Sequence, residues 1–175
     1  MNVFEAIKDR RSIRRFAKSG IPEEMTERLI DALIWAPSAG NLQARKFYFI
    51  SDPEVQSALA SAALDQSFIA KAPLVVVGCT DDRIVDRYGR RGVELYTIQD
   101  VSCSIMCMML AAHEMGLGTV WTGAFHEDIV AEILCLPGSF RPVAIVPVGW
   151  PGEKPSVPGR ISRDIAVVRM GGQKK

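Results

Sequence analysis

The feature that most limits how this chain can fold is the run from about Glu94 to Met115, its longest helical candidate, which stops at Gly116 in the position of a C-terminal cap. Gln99, Asp100, Ser102 and Ser104 interrupt its apolar stretch, which makes it too polar and too short for a membrane span. The run suits a central helix of a soluble protein, one that two copies of the chain could share. Around it the sequence alternates. Asn2 and Glu5 form a capping-box pattern before a short first helix, and Pro22 is placed as the first residue of a second helix whose apolar positions Met25, Leu29, Leu33 and Ala36 lead to Pro37. Phe47–Ile50 and Leu74–Val77 read as strands, with a helix beginning at Asp52-Pro53 between them. After the long helix come a strand at Thr119–Trp121, a short helix from His126 to Leu134 and a strand at Pro142–Gly149. Such alternation predicts an α+β or three-layer α/β/α architecture, followed by an extended arm from Trp150 to Gly159 and a Gly-Gly-Gln-Lys-Lys tail.

At 175 residues one domain over 1–175 is expected, with residues 150–175 as its arm and tail. The net charge of +1 provides no global field to recruit nucleic acid or an anionic membrane, and the N-terminus has no secretory pattern, so a cytoplasmic protein is expected. Cys79, Cys103, Cys107 and Cys135 include no Cys-x-x-Cys pair and read as small buried hydrophobes in a reducing compartment. His113 and His126 have no partner at ligand spacing, so no metal site is expected.

The chain's cations cluster locally, between Lys8 and Lys18. Guanidinium groups stay charged and donate paired hydrogen bonds to phosphate, so Arg10, Arg11, Ser12 and Arg14 could grip one anionic ligand. By composition alone, a solvated cationic strip or an arm touching nucleic acid is the favoured explanation. Pro37-Ser38-Ala39-Gly40-Asn41-Leu42-Gln43 combines small residues, which permit close backbone approach, with the donor and acceptor of Asn41. Taken alone it is also an ordinary loop. Gly116-Leu117-Gly118-Thr119 follows a helix and precedes a strand, the reverse of a Rossmann phosphate turn.

Together, Arg10-Arg11-Ser12-Ile13-Arg14-Arg15-Phe16 and Pro37–Gln43 resemble the two signatures of the nitroreductase family of FMN-dependent oxidoreductases. That resemblance implies a mixed, mostly antiparallel sheet flanked by helices, and an intertwined homodimer. It assigns Arg10, Arg11 and Ser12 to the phosphate and sugar of FMN, and Arg14 to the flavin edge at N1 and O2. Pro37, Ser38, Ala39 and Asn41 approach the flavin from the other subunit. Trp121, Thr122 and Gly123 lie on a strand beside the ring, with Thr122 and Gly123 presenting backbone near N5. Tyr96, Gln99 and Asp100 match a pattern that opens the long helix in many relatives, with a structural role.

Two departures from the family pattern stand out. Ala44-Arg45 replaces the usual Pro-Trp, and the usual C-terminal Arg-x-Pro-Leu is reduced to Gly159-Arg160-Ile161-Ser162-Arg163, with Arg160 as the remaining candidate phosphate ligand. The activity implied is ping-pong hydride transfer from NADH or NADPH through flavin N5 to a nitroaromatic or quinone, with no obligatory side-chain catalyst. Substrate-lid residues fall within Asp82 to Arg91. Flavin-fragmenting, dehalogenating or enone-reducing relatives, and a non-catalytic flavin-storage protein, are the alternatives.

Overall fold

The computed structural model describes residues 1–171; the last four residues of the tail lie outside the described residues. Four strands set the frame: β1 (Arg45–Ile50), β2 (Leu74–Asp81), β3 (Gly118–Thr119) and β4 (Phe140–Gly149). They are ordered β1-β2-β4-β3, and every pair is antiparallel. A parallel bridge joins Ser12 to Thr119, so the N-terminal segment extends the sheet beside β3. β2 is buried along its whole length, as a central strand covered on both faces must be.

Alternate residues of these strands feed two cores. On one face Leu74, Val76, Val146 and Val148 pack with Leu29 and Leu33 of α2 (Glu23–Ile34) and with Val101, Ile105, Met108 and Met109 of α5 (Thr97–Glu114). On the other, Val75, Val77, Cys79 and Ile145 pack with Leu59 of α3 (Pro53–Ala62) and Val130 of α6 (Glu127–Ile133). Two helical layers thus enclose one sheet, the three-layer α+β arrangement expected from the alternation.

Local chemistry explains most boundaries. In α1 (Val3–Asp9) the Asn2 side chain accepts from the Glu5 N–H while the Glu5 carboxylate accepts from the Asn2 N–H, each at 2.9 Å. Pro22 is the N-cap of α2 and not its first residue, and the helix stops at Ile34, short of Pro37. Asp52 caps α3. The long helix differs more from expectation. A π-helical turn, Gly92–Tyr96, joins α5 to α4 (Val85–Arg91), so helical structure extends from Asp82 to Glu114 with a kink at Gly89. By length and composition alone that run could cross a membrane, contrary to the reading of residues 94–115 as too short; its apolar face packs on the sheet and α2. The strand expected at Thr119–Trp121 shortens to Gly118–Thr119, with a separate bridge between Thr122 and Ile145. A final short helix, α7 (Arg163–Ala166), interrupts the C-terminal arm. The cysteines also differ, because only Cys79 is buried, while Cys103 and Cys135 are exposed.

Candidate functional site

The cationic signature begins where α1 ends, and its backbone is fixed from two sides. The Ile13 N–H donates to the Thr119 carbonyl at 3.0 Å, and the C-terminal arm lies along the residues that follow. Ala17 N–H donates to Trp150 O at 2.9 Å, and Gly152 N–H donates to Arg15 O at 2.8 Å. Glu153 Oε1 accepts from the N–H groups of both Arg14 (2.6 Å) and Arg15 (3.1 Å), and the first of these bonds is the main reason its carboxyl is held below the usual glutamate range. Close packing at the strand end needs a residue without a side chain, since a Cβ at Gly118 would stand 2.7 Å from Ile13 Cγ1.

This framework gathers Arg10, Arg11, Ser12, Arg14 and Arg160 around one cavity of about 390 Å³, closed by Pro155, Ser156 and Pro158. A neighbouring cavity of about 380 Å³ shares Arg10, Arg11 and Pro155 and is lined by Ile13, His113, Leu117 and Thr119 among others. Among the described residues, Arg15, Arg28, Arg83, Arg90 and Arg141 are ion-paired with carboxylates, and none of the four cavity arginines is. Burial, then the charges of Arg160 and Arg11, push the Arg10 guanidinium below its usual value. Like charges held together without a counter-carboxylate favour any anion that enters.

Arg14 is exposed, and its guanidinium carbon lies 5.9 Å from the centre of the Phe68 ring. The Phe68 loop carries left-handed residues at Leu64 and Asp65, and it is tied to the segment after β3 because Gln66 Nε2 donates to Ala63 O (2.8 Å) and Ala124 O (3.1 Å). Trp121, Thr122 and Gly123 stand on that segment, outside the cavity lining. The expectation for Thr122 needs correction: its N–H and carbonyl are both bonded to Ile145 at 2.9 Å, so its backbone is consumed by the sheet. Its buried Oγ1 has no partner among the described residues, and Gly123 is exposed.

The second signature lies elsewhere. Pro37, Ser38, Ala39 and Asn41 form a turn with left-handed φ values at Gly40 (55°), Asn41 (56°) and Gln43 (53°). Two charged side chains hold it. Ala39 N–H donates to Asp100 Oδ1 at 2.9 Å, and the buried Arg45 guanidinium donates to the carbonyls of Ile34 (3.0 Å), Ala36 (2.7 Å) and Pro37 (2.9 Å). Burial raises the Asp100 carboxyl against the opposing influence of the Ala39 N–H and Arg45. Arg45, a departure at the sequence level, therefore caps the C-terminus of α2. Asp100 stands at the start of α5, whereas His113, which lines the cavity beside Arg10, stands at its end. At about 1.5 Å per residue these positions are roughly 20 Å apart. Within one chain the structure does not bring the two signatures together.

Neither Asp100, Arg45, Gln66 nor Glu153 was a sequence-level site candidate. Only Asp100 carried a signal, through the Tyr-x-x-Gln-Asp pattern that gave it a structural role.

Comparison with known proteins places these features in context. The sequence profile of the Nitroreductase family matches residues 7–91 and 64–150. A Methanothermobacter thermautotrophicus protein assigned by name to the NADH dehydrogenase/NAD(P)H nitroreductases is 32% identical over 159 residues, 89% of this chain and 80% of the relative. The solved structure of nitroreductase A from Vibrio parahaemolyticus superposes with a TM-score of 0.90 at 27% identity, covering 100% of this chain and 78% of that one. The NADPH:FMN oxidoreductase of Vibrio harveyi, solved with NAD+, gives the same TM-score and identity, with 100% and 80% coverage.

Proposed function

The chain belongs to the nitroreductase family, and we propose on that premise that it is an FMN-dependent NAD(P)H oxidoreductase acting as a homodimer. The observation that carries this reading is the convergence of Arg10, Arg11, Ser12 and Arg160 on one cavity with, among the described residues, no carboxylate paired to its arginines. That donor set suits a phosphate monoester, which accepts several charge-assisted hydrogen bonds at once. When bound, FMN supplies hydride transfer at N5, from NADH or NADPH to an electron-poor acceptor such as a nitroaromatic or quinone in a ping-pong sequence.

The chain's own residues bind and orient. Arg10, Arg11, Ser12 and Arg160 hold the phosphate and sugar, and Arg14, steadied against Phe68, faces the N1 and O2 edge. Gly123 supplies close backbone approach, and the Thr122 hydroxyl and Trp121 line the ring's edge. No side chain is required to act as nucleophile.

The separation of the two signatures along α5 supports a site completed by a second copy, whose Pro37–Asn41 turn reaches the partner's arginine cavity. Exposed apolar surface supports the same assembly: Trp35 is 86% exposed, with Phe4 and Val3 of α1 and Ile161, Ile165 and Val168 of the arm also uncovered. We place the dimer in the cytoplasm and treat residues 1–175 as one domain.

The test is the purified protein. It is expected to be yellow, to release FMN, and to bleach when mixed anaerobically with NADH or NADPH, recovering its colour with a quinone. Stoichiometric FAD, or bound FMN that neither nucleotide reduces, would refute the proposal.

A further inference from the structure

The cluster of Tyr88, Arg91 and Tyr96 stands against the second signature, and nothing in the flavin assignment uses it. A Cβ at Gly40 would lie 2.5 Å from the Tyr88 hydroxyl oxygen, so Tyr88 closes directly over the turn that the partner's flavin meets. Its ring packs edge-to-face on Tyr96, centres 5.3 Å apart. The Arg91 guanidinium carbon lies 5.6 Å from the Tyr96 ring centre, and Arg91 Nε donates to the Tyr96 hydroxyl at 3.1 Å. Two backbone irregularities create this grouping: the left-handed Gly89 (φ 56°) breaks α4, and the π-helical turn Gly92–Tyr96 gives the five-residue spacing that sets Tyr96 beside Arg91.

Two of its cationic neighbours are already matched. Arg83 is paired with Asp81, and Arg90 with Glu94. Arg91 is exposed, oriented by an aromatic ring and a hydroxyl, and has no carboxylate at ion-pair distance among the described residues. A planar ring can pack beside the two tyrosines while Arg91 binds an anionic substituent on it through charge-assisted hydrogen bonds.

We propose that Tyr88, Arg91 and Tyr96 form the acceptor-recognition wall of the active site and select planar aromatic acceptors bearing an acidic group, such as a nitrobenzoate. The inference rests on the flavin-oxidoreductase reading and adds its substrate class. An acceptor fits better than the 2′-phosphate of NADPH, because Tyr88 touches the turn itself, whereas that phosphate is separated from the reacting nicotinamide by two riboses and a pyrophosphate. The reaction balances as ArNO2 + NAD(P)H + H+ giving ArNO + NAD(P)+ + H2O, with two electrons passing from the nicotinamide to the nitro group.

Two measurements on the FMN-loaded protein test the assignment. Benzoate, which is not reduced, is titrated against the flavin absorbance beside neutral benzamide. Arg91→Ala is expected to weaken benzoate about tenfold, with a clearly smaller effect on benzamide, and Arg91→Lys to recover part of the loss. In turnover, the ratio of kcat/KM for 4-nitrobenzoate to that for its methyl ester is expected to fall at least fivefold in Arg91→Ala. Equal effects on charged and neutral ligands, or a loss confined to NADPH relative to NADH, would overturn the assignment. The benzoate titration needs no turnover, so its result is independent of a failure of nucleotide-driven reduction, which would count against the proposed function.

Discussion

Removing the Arg45 guanidinium should destabilise the protein and loosen its flavin site together. The residue is 8% exposed, and its guanidinium donates to three carbonyls, those of Ile34, Ala36 and Pro37, at 2.7 to 3.0 Å. Arg45→Met keeps much of the aliphatic stem and deletes the donors. Each buried carbonyl left without a partner costs roughly 1–3 kcal/mol. Only the Ala36 bond is buried and water can reach the exposed Ile34 and Pro37 ends, so the lower part of the range applies and the sum is about 3 kcal/mol at most. For a domain of this size, each kcal/mol lowers Tm by about 2–4 °C, giving a fall of roughly 6–12 °C at most. Arg45→Lys, with a point charge and no planar fork, should fall between. Thermal unfolding followed by circular dichroism measures the shift, and flavin fluorescence measures FMN affinity. The Pro37–Asn41 turn loses its carbonyl-side anchor, so affinity should weaken in the same order, Met more than Lys. A Tm within about 2 °C of the parent would refute the capping argument.

Arg14→Ala should lower the flavin midpoint potential, because a guanidinium near N1 and O2 favours the reduced, negatively charged form. At about 30 mV for 1.4 kcal/mol in a two-electron couple, and allowing for Arg14's exposure, the shift should be several tens of millivolts. Arg11→Ala should chiefly weaken FMN binding; an unchanged potential in Arg14→Ala saturated with FMN would remove Arg14 from the ring edge. Glu153 titrates low in the folded protein, so the stability it adds is fully present above the ordinary glutamate range and is lost as pH falls through its depressed folded value. The exchange protection of the Arg14, Arg15 and Gly152 amides, relative to their intrinsic rates, should therefore fall as pH drops below the ordinary glutamate range, and Glu153→Gln should remove that dependence.

Interactions confined to a few residues were legible in the sequence, because spacing alone decides them. The Asn2–Glu5 capping box, the Asp52 cap and the helix stop before Gly116 are of this kind. So are the continuous apolar runs of β2 and β4, which specify a sheet covered on both faces. The residue types of Arg10, Arg11, Ser12 and Arg14 already allowed one shared anionic ligand, and the resemblance added Arg160 to them. What escaped were long-range bonds: Asp100 holds Ala39 across 61 positions, and Glu153 holds Arg14 across 139. No local periodicity encodes such pairs. Arg45 carried no role at the sequence level for a related reason, since its meaning depends on three carbonyls that only the end of α2 presents. Thr122 was assigned a free backbone because its pairing with Ile145 depends on how the sheet closes.

The central claim, a flavin site built from two chains, is tested most directly by mixing defective protomers. Arg10→Ala/Arg11→Ala removes the phosphate cavity of one protomer, and a deletion of Ser38–Asn41 removes the turn of the other. Each homodimer should lose FMN. Reassembled mixed dimers, separated by distinct affinity tags, contain one site carrying both defects and one carrying neither, so they should bind one FMN per dimer at close to parental affinity. Mixed dimers that bind no better than the parent variants, or a turn-deleted homodimer that binds FMN normally, would contradict the account.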